Sequence, residues 1–222
     1  VAIILNFPNN PTGKSYSLDE LKELASIFEK LNLWVLSDEI YAEQSYRQKH
    51  HSLYPLIPDQ TILITGLSKS HSMTGYRIGF AIAKGEVALA MRKIQDTFLT
   101  CLPTPIQDAA AFAVKYDPDA GKRTRKEYFK RIKLVVDKLN QLGFSAEMPD
   151  GAFYVWAKVP KRFIGKSFEF CIDLAQKARV QIFPGAIFSS TASDYVRISC
   201  AQSEKILSRA LVSIENYLKQ GS

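Results

Sequence analysis

The first 36 residues decide the fold class, and they read VAIILNFPNNPTGKSYSLDELKELASIFEKLNLWVL. Residues 1–5 are all apolar and predict a fully buried strand, and a second strand is predicted at 33–36. Between them, Ser17 and Glu20 form the capping box of a helix whose apolar residues recur at helical spacing. Because a strand, a helix and a strand in this order form a right-handed βαβ unit, we expect a parallel sheet.

The rest of the chain continues this alternation of strands and helices. Further strands are predicted at 61–65 and 77–83, after an irregular polar segment at 42–60 that is long enough to suggest a functional loop. Five more helices are predicted at 85–99, 105–116, 120–141, 167–178 and 202–219, with short strands near 144–148, 153–158, 180–183 and 195–199. The sequence Asp117-Pro118-Asp119 breaks the pattern and marks the predicted domain boundary. The predicted fold class is therefore α/β, with a mostly parallel sheet and flanking helices in residues 1–117 and a small α/β domain in residues 118–222.

Composition excludes several classes of protein. Apolar residues make up 46% of the chain and charged residues 23%, which is ordinary globular usage and excludes a disordered tail, a collagen-like repeat and a coiled coil. The net charge is +7, and seven basic residues lie within 122–133. We interpret this cluster as a solvated helix face and predict no nucleic-acid partner. We also predict no membrane association, since no apolar run approaches the roughly 20 residues that span a bilayer.

The cysteines and histidines predict neither disulfides nor a metal site. The cysteines are Cys101, Cys171 and Cys200. They lie far apart without a C-x-x-C motif, which is typical of a reducing cytoplasm. The histidines lack metal-ligand spacing, and we interpret the pair His50-His51 as an exposed loop feature.

Polar side chains follow the first three predicted strands at their carboxyl ends. They are an amide, a carboxylate, a phenol and an amine, from Asn10, Asp38, Tyr41 and Lys69 respectively. In an open α/β sheet, ligands bind outside the carboxyl ends of parallel strands. We therefore expect these four groups to converge on one crevice.

Lys69 is the most informative of these residues. It lies in residues 66–77, GLSKSHSMTGYR, directly after a predicted strand and among small residues. A lysine in such a place can condense with an aldehyde to form an imine, and Arg77 has the fork of donors that suits a phosphate. An aldehyde that carries a phosphate is pyridoxal 5'-phosphate (PLP), whose ring nitrogen requires a carboxylate partner. Asp38 is the candidate for that partner, while Tyr41 and Asn10 can contact the ring hydroxyl.

Six motifs occur in the order of a known family. They are NPTG at 10–13, SDEIY at 37–41, the segment 68–79 with its lysine, GAFY at 151–154, PG at 184–185 and YVRIS at 195–199. With this ordered set, the chain resembles the PLP-dependent aminotransferases of fold type I (class I/II), which include the aspartate and aromatic aminotransferases. The resemblance extends over essentially the whole chain.

The resemblance implies roles for the cofactor-binding residues. Lys69 would bind the cofactor covalently and then act as the general base. Asp38 would pair with the ring nitrogen, and Tyr41 would contact the ring hydroxyl. Arg77, helped by Ser68, would hold the phosphate. The implied catalytic residues are therefore Lys69, Asp38 and Tyr41.

The resemblance also implies how the substrate is held and where the chain departs from the family. Arg197 would receive the substrate α-carboxylate, and Asn10 would contact both the substrate and the ring hydroxyl. At position 66 many members have a serine that touches the phosphate, whereas this chain has Gly66. The chain begins without Met and lacks the family's N-terminal segment, so we expect a C-terminal portion that alone binds PLP weakly and turns over poorly.

The predicted function is transfer of an amino group between an amino acid and a 2-oxo acid by a cytoplasmic homodimer. Residues 68–79 most resemble bacterial aminotransferases for aromatic amino acids or N-acetyl-diaminopimelate. Two alternatives remain open at this point. One is a PLP-dependent lyase of the same fold, and the other is a PLP-binding regulatory domain without enzymatic activity.

Overall fold

The computed structural model of the protein describes residues 1–220. The strands are Ala2–Asn6 (β1), Trp34–Asp38 (β2), Thr61–Gly66 (β3), Gly79–Ile82 (β4), Ser145–Ala146 (β5), Tyr154–Lys158 (β6), Phe183–Pro184 (β7) and Tyr195–Ser199 (β8). The helices are Leu18–Lys30 (α1), Leu67–Ser70 (α2), Gly85–Phe98 (α3), Thr104–Tyr116 (α4), Ala120–Gln141 (α5), Ser167–Ala178 (α6) and Glu204–Gln220 (α7). Within the described range, no helix combines the length and the apolar character needed to cross a membrane.

The chain forms two compact units. The first comprises Val1–Asn9 and Lys14–Arg125, and the second comprises Asn10–Gly13 and the chain from Lys126 onward. The domain boundary that the sequence suggests at residue 117 stays a prediction.

The first unit contains a four-stranded sheet in the order β1-β2-β3-β4. The first three strands are parallel and β4 is antiparallel to β3, so the prediction of a mostly parallel sheet is confirmed. Helix α1 connects β1 to β2 and begins at the predicted capping box, in which Ser17 and Glu20 bond each other's backbone N–H. The capping box satisfies backbone donors that the first helical turn leaves unpaired.

The apolar core of the first unit lies on the α1 side of the sheet. Its buried members are Phe7, Leu21, Ala25, Phe28, Val35, Leu53 and Ile57. Leu53 and Ile57 come from the irregular segment 42–60, which therefore packs into the core rather than only covering the surface. The prediction of a fully buried first strand is wrong, because the side chains of a strand alternate between its two faces. Ile3 and Leu5 pack against the core, whereas Ile4 is 71% exposed.

The second unit contains an antiparallel sheet in the order β5-β6-β8-β7. Its helices α6 and α7 contact each other, and the interior is formed by residues that are almost wholly shielded from solvent: Ile132, Val135, Leu139, Val155, Leu174, Val196 and Ile214. The last of the short predicted strands before β8 is displaced. Residues 180–182 form no ladder, and β7 begins at Phe183, although Val180 and Ile182 are buried as an apolar strand pattern predicts.

Candidate functional site

The carboxyl ends of β2 and β3 carry three of the predicted site residues. Asp38 is the last residue of β2 and pairs in register with Ile64 of the neighbouring parallel strand. Tyr41 follows three residues later and is 4% exposed. Lys69 follows the end of β3, and its Nζ lies 5.8 Å from the centroid of the Tyr41 ring. A carboxylate, a phenol and an amine therefore leave the same edge of one sheet, as the strand-end rule predicts.

Lys69 lies in α2, a four-residue helix that sequence periodicity did not reveal. Gly66 precedes this helix and pairs in register with Gly79 of β4. A Cβ at position 66 would lie 3.0 Å from the Cα of Gly79 and 3.1 Å from the carbonyl oxygen of Ile78. The close approach of the two strands gives a physical reason for glycine at this position, where many members of the family have serine.

The segment after Lys69 holds Ser68 and Arg77 in one loop. The Thr74 hydroxyl donates to the carbonyl of Ser68 at 2.9 Å, and Arg77 Nη1 donates to the carbonyl of Thr74 at 2.9 Å. Arg77 is exposed and adopts a left-handed backbone conformation with φ +55°. Its remaining N–H groups have no protein acceptor in the described part of the chain, so this guanidinium can bind an anion.

Arg197 and Asn10 come together in the second unit. Arg197 lies on β8, and its Nη1 donates to the Asn10 side-chain oxygen at 2.8 Å. The rings of Tyr154, Phe183 and Phe188 surround the guanidinium, with centroids 4.5, 4.8 and 4.9 Å from its central carbon. Because aromatic rings cover its faces, the guanidinium offers its edge to polar partners, which suits a carboxylate.

The turn that presents Asn10 requires glycine at its end. Gly13 has φ +68°, and its carbonyl accepts a hydrogen bond from the N–H of Gly151 at 2.9 Å. A Cβ at position 13 would lie 2.4 Å from the Cβ of Pro149. The motif NPTG is therefore tied to GAFY, and a side chain at Gly13 would push them apart.

Sequence reasoning assigned no role to Glu39, and it was wrong about His50. The Glu39 side chain is 4% exposed, and one of its oxygens lies 2.6 Å from His50 Nε2. The His50 side chain is only 12% exposed, so the interpretation of this residue as an exposed loop feature is corrected. The available signal was the acidic residue inside SDEIY, because a buried carboxylate requires a partner.

Gln44 is a second residue that sequence reasoning missed. It is fully buried, and its Nε2 donates to the carbonyl of Lys69 and to the Thr124 hydroxyl, both at 3.3 Å. The Thr124 hydroxyl also lies 3.3 Å from the carbonyl of Ser70. These contacts connect the backbone of α2 to the first turns of α5. No sequence pattern predicts these contacts, because they join residues that lie 25 and 80 positions apart in the chain.

The buried thiols do not have the character of nucleophiles. Burial raises the pKa of both Cys171 and Cys200 to about 12, which leaves almost no thiolate near neutral pH. The third cysteine, Cys101, is exposed and is not in a disulfide.

Comparisons with known proteins identify the family. The model of the family described as "Aminotransferase class I and II" matches residues 1–214. The chain is 40% identical, over 97% of its length, to the protein named "Probable N-acetyl-LL-diaminopimelate aminotransferase" in Bacillus subtilis strain 168, and it covers 55% of that protein. It is 36% identical over 98% of its length to an aspartate aminotransferase of Thermotoga maritima, of which it covers 56%. The chain thus spans a little over half the length of these relatives.

The fold is shared with solved structures. The crystal structure of an aromatic aminotransferase from Pyrococcus horikoshii OT3 superposes on this chain with a TM-score of 0.93 at 37% sequence identity. The superposition covers 99% of this chain and 60% of the aromatic aminotransferase. This agreement confirms the predicted fold class of a mostly parallel sheet with flanking helices that belongs to a partial PLP-transferase domain. The chain belongs to the aminotransferase class I and II family.

Proposed function

We propose that the protein is a PLP-dependent aminotransferase that moves an amino group between an amino acid and a 2-oxo acid. The observation that carries the proposal is the placement of the Lys69 amine above the ring of the buried Tyr41. Asp38 ends the adjacent parallel strand at the same edge of the sheet. Family membership supports the same reaction class.

The chemistry of these side chains fits PLP. We propose that Lys69 binds the aldehyde carbon, that Asp38 pairs with the ring nitrogen, and that Arg77 and Ser68 hold the phosphate. Asn10 and Tyr41 are the proposed partners of the ring hydroxyl. When bound, PLP supplies an electron sink that lowers the barrier to deprotonation of the substrate Cα. The amine of Lys69 is the proposed base that moves this proton.

The Asp38 carboxylate is already oriented by its own backbone. Its Oδ1 accepts a hydrogen bond from the N–H of Ile40 at 3.3 Å, which fixes the side chain in a short turn of the kind that aspartate favours. A carboxylate whose direction is set before the ligand arrives loses less conformational freedom on binding. This geometry supports a binding role for Asp38.

We propose that Arg197 binds the α-carboxylate of both substrates, with Asn10 as its neighbour. An amino acid and a 2-oxo acid share this carboxylate and differ at the reacting carbon. One guanidinium can therefore orient the substrates of both half-reactions through paired N–H···O bonds. The 2.8 Å bond from Arg197 to Asn10 restricts the rotation of the fork.

The names of the relatives suggest the substrate class. We propose that the amino donor is aromatic or of the N-acetyl-diaminopimelate type, since relatives named for N-acetyl-LL-diaminopimelate and for aromatic amino acids are 40% and 36% identical to the chain. We further propose a cytoplasmic homodimer. This assignment rests on the family alone.

The experiment is an acceptor panel with the full-length protein that carries this sequence. The protein is purified with PLP, and amino transfer from glutamate, phenylalanine and N-acetyl-LL-diaminopimelate to a set of 2-oxo acids is followed by mass spectrometry. We expect transfer in the wild type and none in Lys69→Ala. Lys84→Ala is the matched control, because Lys84 is an exposed lysine whose Nζ lies 3.6 Å from Asp59.

Three outcomes would contradict the proposal in whole or in part. Release of ammonia and a keto product without an acceptor would favour the lyase alternative. PLP binding without turnover of any donor would favour the regulatory alternative. Transfer at the wild-type rate in Lys69→Ala would remove the proposed base.

A further inference from the structure

Glu39 lies one residue beyond Asp38 and is held from several directions. Its buried carboxylate accepts hydrogen bonds from the Ser37 hydroxyl at 2.8 Å, the Ser52 hydroxyl at 2.9 Å and the N–H of Leu53 at 3.2 Å. His50 Nε2 lies 2.6 Å from the other carboxylate oxygen. An ionised carboxylate only accepts, so Nε2 carries the hydrogen of this bond. Four donors satisfy a charge that would otherwise be costly to bury.

The alternation of β2 places Glu39 and Asp38 on opposite faces of the sheet. Ser37 and Glu39 are 0% and 3% exposed, whereas Asp38 between them is half-buried. Successive side chains of an extended segment point to opposite faces. The N–H of Glu39 also donates to the carbonyl of Ile64 at 2.8 Å, which continues the strand pairing beyond Asp38. Glu39 therefore holds the end of β2 in place from the core face of the sheet, while Asp38 lies on the opposite face.

The same anchor extends to Tyr41. The N–H of Ala42 donates to the carbonyl of Glu39 at 3.0 Å, so residues 39–42 form a turn that carries the Tyr41 ring. On the other side of the bond, His50 packs its ring against Phe7 at 5.4 Å between centroids. The Glu39–His50 bond thus joins this turn to the core of the first unit.

We propose that Glu39 and His50 are positioning residues for the proposed cofactor site. Their hydrogen bond fixes the end of β2, so that the Asp38 carboxylate and the Tyr41 ring are held in the orientation that the cofactor ring requires. Neither residue needs to touch the cofactor. The inference rests on the proposed function and adds a residue pair to which the family motifs assigned no role.

The test measures PLP binding directly in the full-length protein. Protein freed of cofactor is titrated with PLP and followed by visible absorbance, and the absorbance of the loaded protein is then followed against pH. We expect His50→Leu to raise the Kd for PLP about tenfold and to move the pH midpoint of the absorbance change, because one hydrogen bond to a buried charge is lost. His50→Gln keeps a donor near the place of Nε2 and should return the Kd to within about threefold of wild type.

His51→Leu is the matched control, since it removes the neighbouring imidazole and leaves the bond to Glu39. We expect its Kd and its pH midpoint to equal those of the wild type. The milder variant Ser52→Ala removes one of the four donors and should raise the Kd about threefold. This variant keeps the inference falsifiable if His50→Leu does not fold.

The outcomes separate this inference from the proposed function. A His50→Leu protein that melts earlier while keeping the wild-type Kd and pH midpoint would show that the pair serves stability alone. An unchanged Kd in Ser52→Ala together with no rescue by His50→Gln would also overturn the inference. A wild-type protein that does not bind PLP would overturn the proposed function as well.

Discussion

Gly13 offers a sharp stability test, because its substitution combines two separable costs. The residue has φ +68°, and a Cβ there would lie 2.4 Å from the Cβ of Pro149 and 2.9 Å from the carbonyl oxygen of Gly151. A left-handed backbone costs an alanine about 1 kcal/mol. Forcing an extra carbon into a packed contact costs about 1–3 kcal/mol more. Gly13→Ala should therefore lower the free energy of unfolding by about 2–4 kcal/mol.

Two other glycines separate these costs. Gly165 has φ +75° with open space around a Cβ, so Gly165→Ala should lose only the backbone part of about 1 kcal/mol. Gly75 has open space and no positive φ, and Gly75→Ala should stay within about 0.5 kcal/mol of wild type. Gly165 lies in the same unit as Gly13, which makes their difference a measure of the contact with Pro149.

The assay is urea unfolding followed by circular dichroism, together with hydrogen exchange measured by mass spectrometry. With a slope near 2 kcal/mol per molar urea, we expect the midpoint of Gly13→Ala to fall by about 1–2 M. The amide of Gly151, which donates to the Gly13 carbonyl, should lose protection in this variant alone. Equal midpoints for Gly13→Ala and Gly165→Ala, with the Gly151 amide still protected, would refute the reasoning.

Three further changes have predicted outcomes. Lys138 and Lys219 hydrogen-bond Glu215 and lower its pKa from 4.5 to about 2. The stabilisation that these bonds give is therefore full above about pH 4.5 and is lost as the pH falls to about 2. In thermal scans, Glu215→Gln should have a lower melting temperature than the wild type at pH 7 and the same melting temperature near pH 2. Leu139→Ala, at a fully buried position, should cost about 2–5 kcal/mol in urea unfolding. Arg197→Lys keeps the charge but loses the fork, and steady-state kinetics should show KM for both substrates raised about tenfold or more.

Much of the fold could be predicted from the sequence, because its local signals agree with one another. The capping box at Ser17 and the apolar spacing that follows it gave helix α1, which is observed at Leu18–Lys30. Helix α5 begins shortly after the predicted break at Asp117 and ends shortly before Gly143, which has φ +85°. Periodicity is a reliable guide for segments as long as these. Periodicity cannot predict α2, because its four residues complete barely one helical turn.

The parts that could not be predicted depend on contacts between distant segments. The exposure of Ile4 depends on which face of the sheet α1 covers, and an apolar run cannot reveal that. The bond between Glu39 and His50 requires the irregular segment 42–60 to fold back onto β2, which happens because Leu53 and Ile57 pack into the core. The available signal was the apolar stretch LYPLI at 53–57 within an otherwise polar segment, but it does not say which strand the segment returns to.

The group proposed to hold the substrate carboxylate differs in kind from the groups proposed to react with the cofactor. The first unit holds an amine, a carboxylate and a phenol, which suit a cofactor with an aldehyde and a ring nitrogen. The second holds the guanidinium of Arg197 beside Asn10, which suits the carboxylate that every amino acid and 2-oxo acid carries. A group that recognises a shared feature cannot distinguish one side chain from another. In the proposed function, selectivity among substrates must therefore come from residues other than Arg197. Arg197→Lys should raise the KM of every amino donor tested by a similar factor.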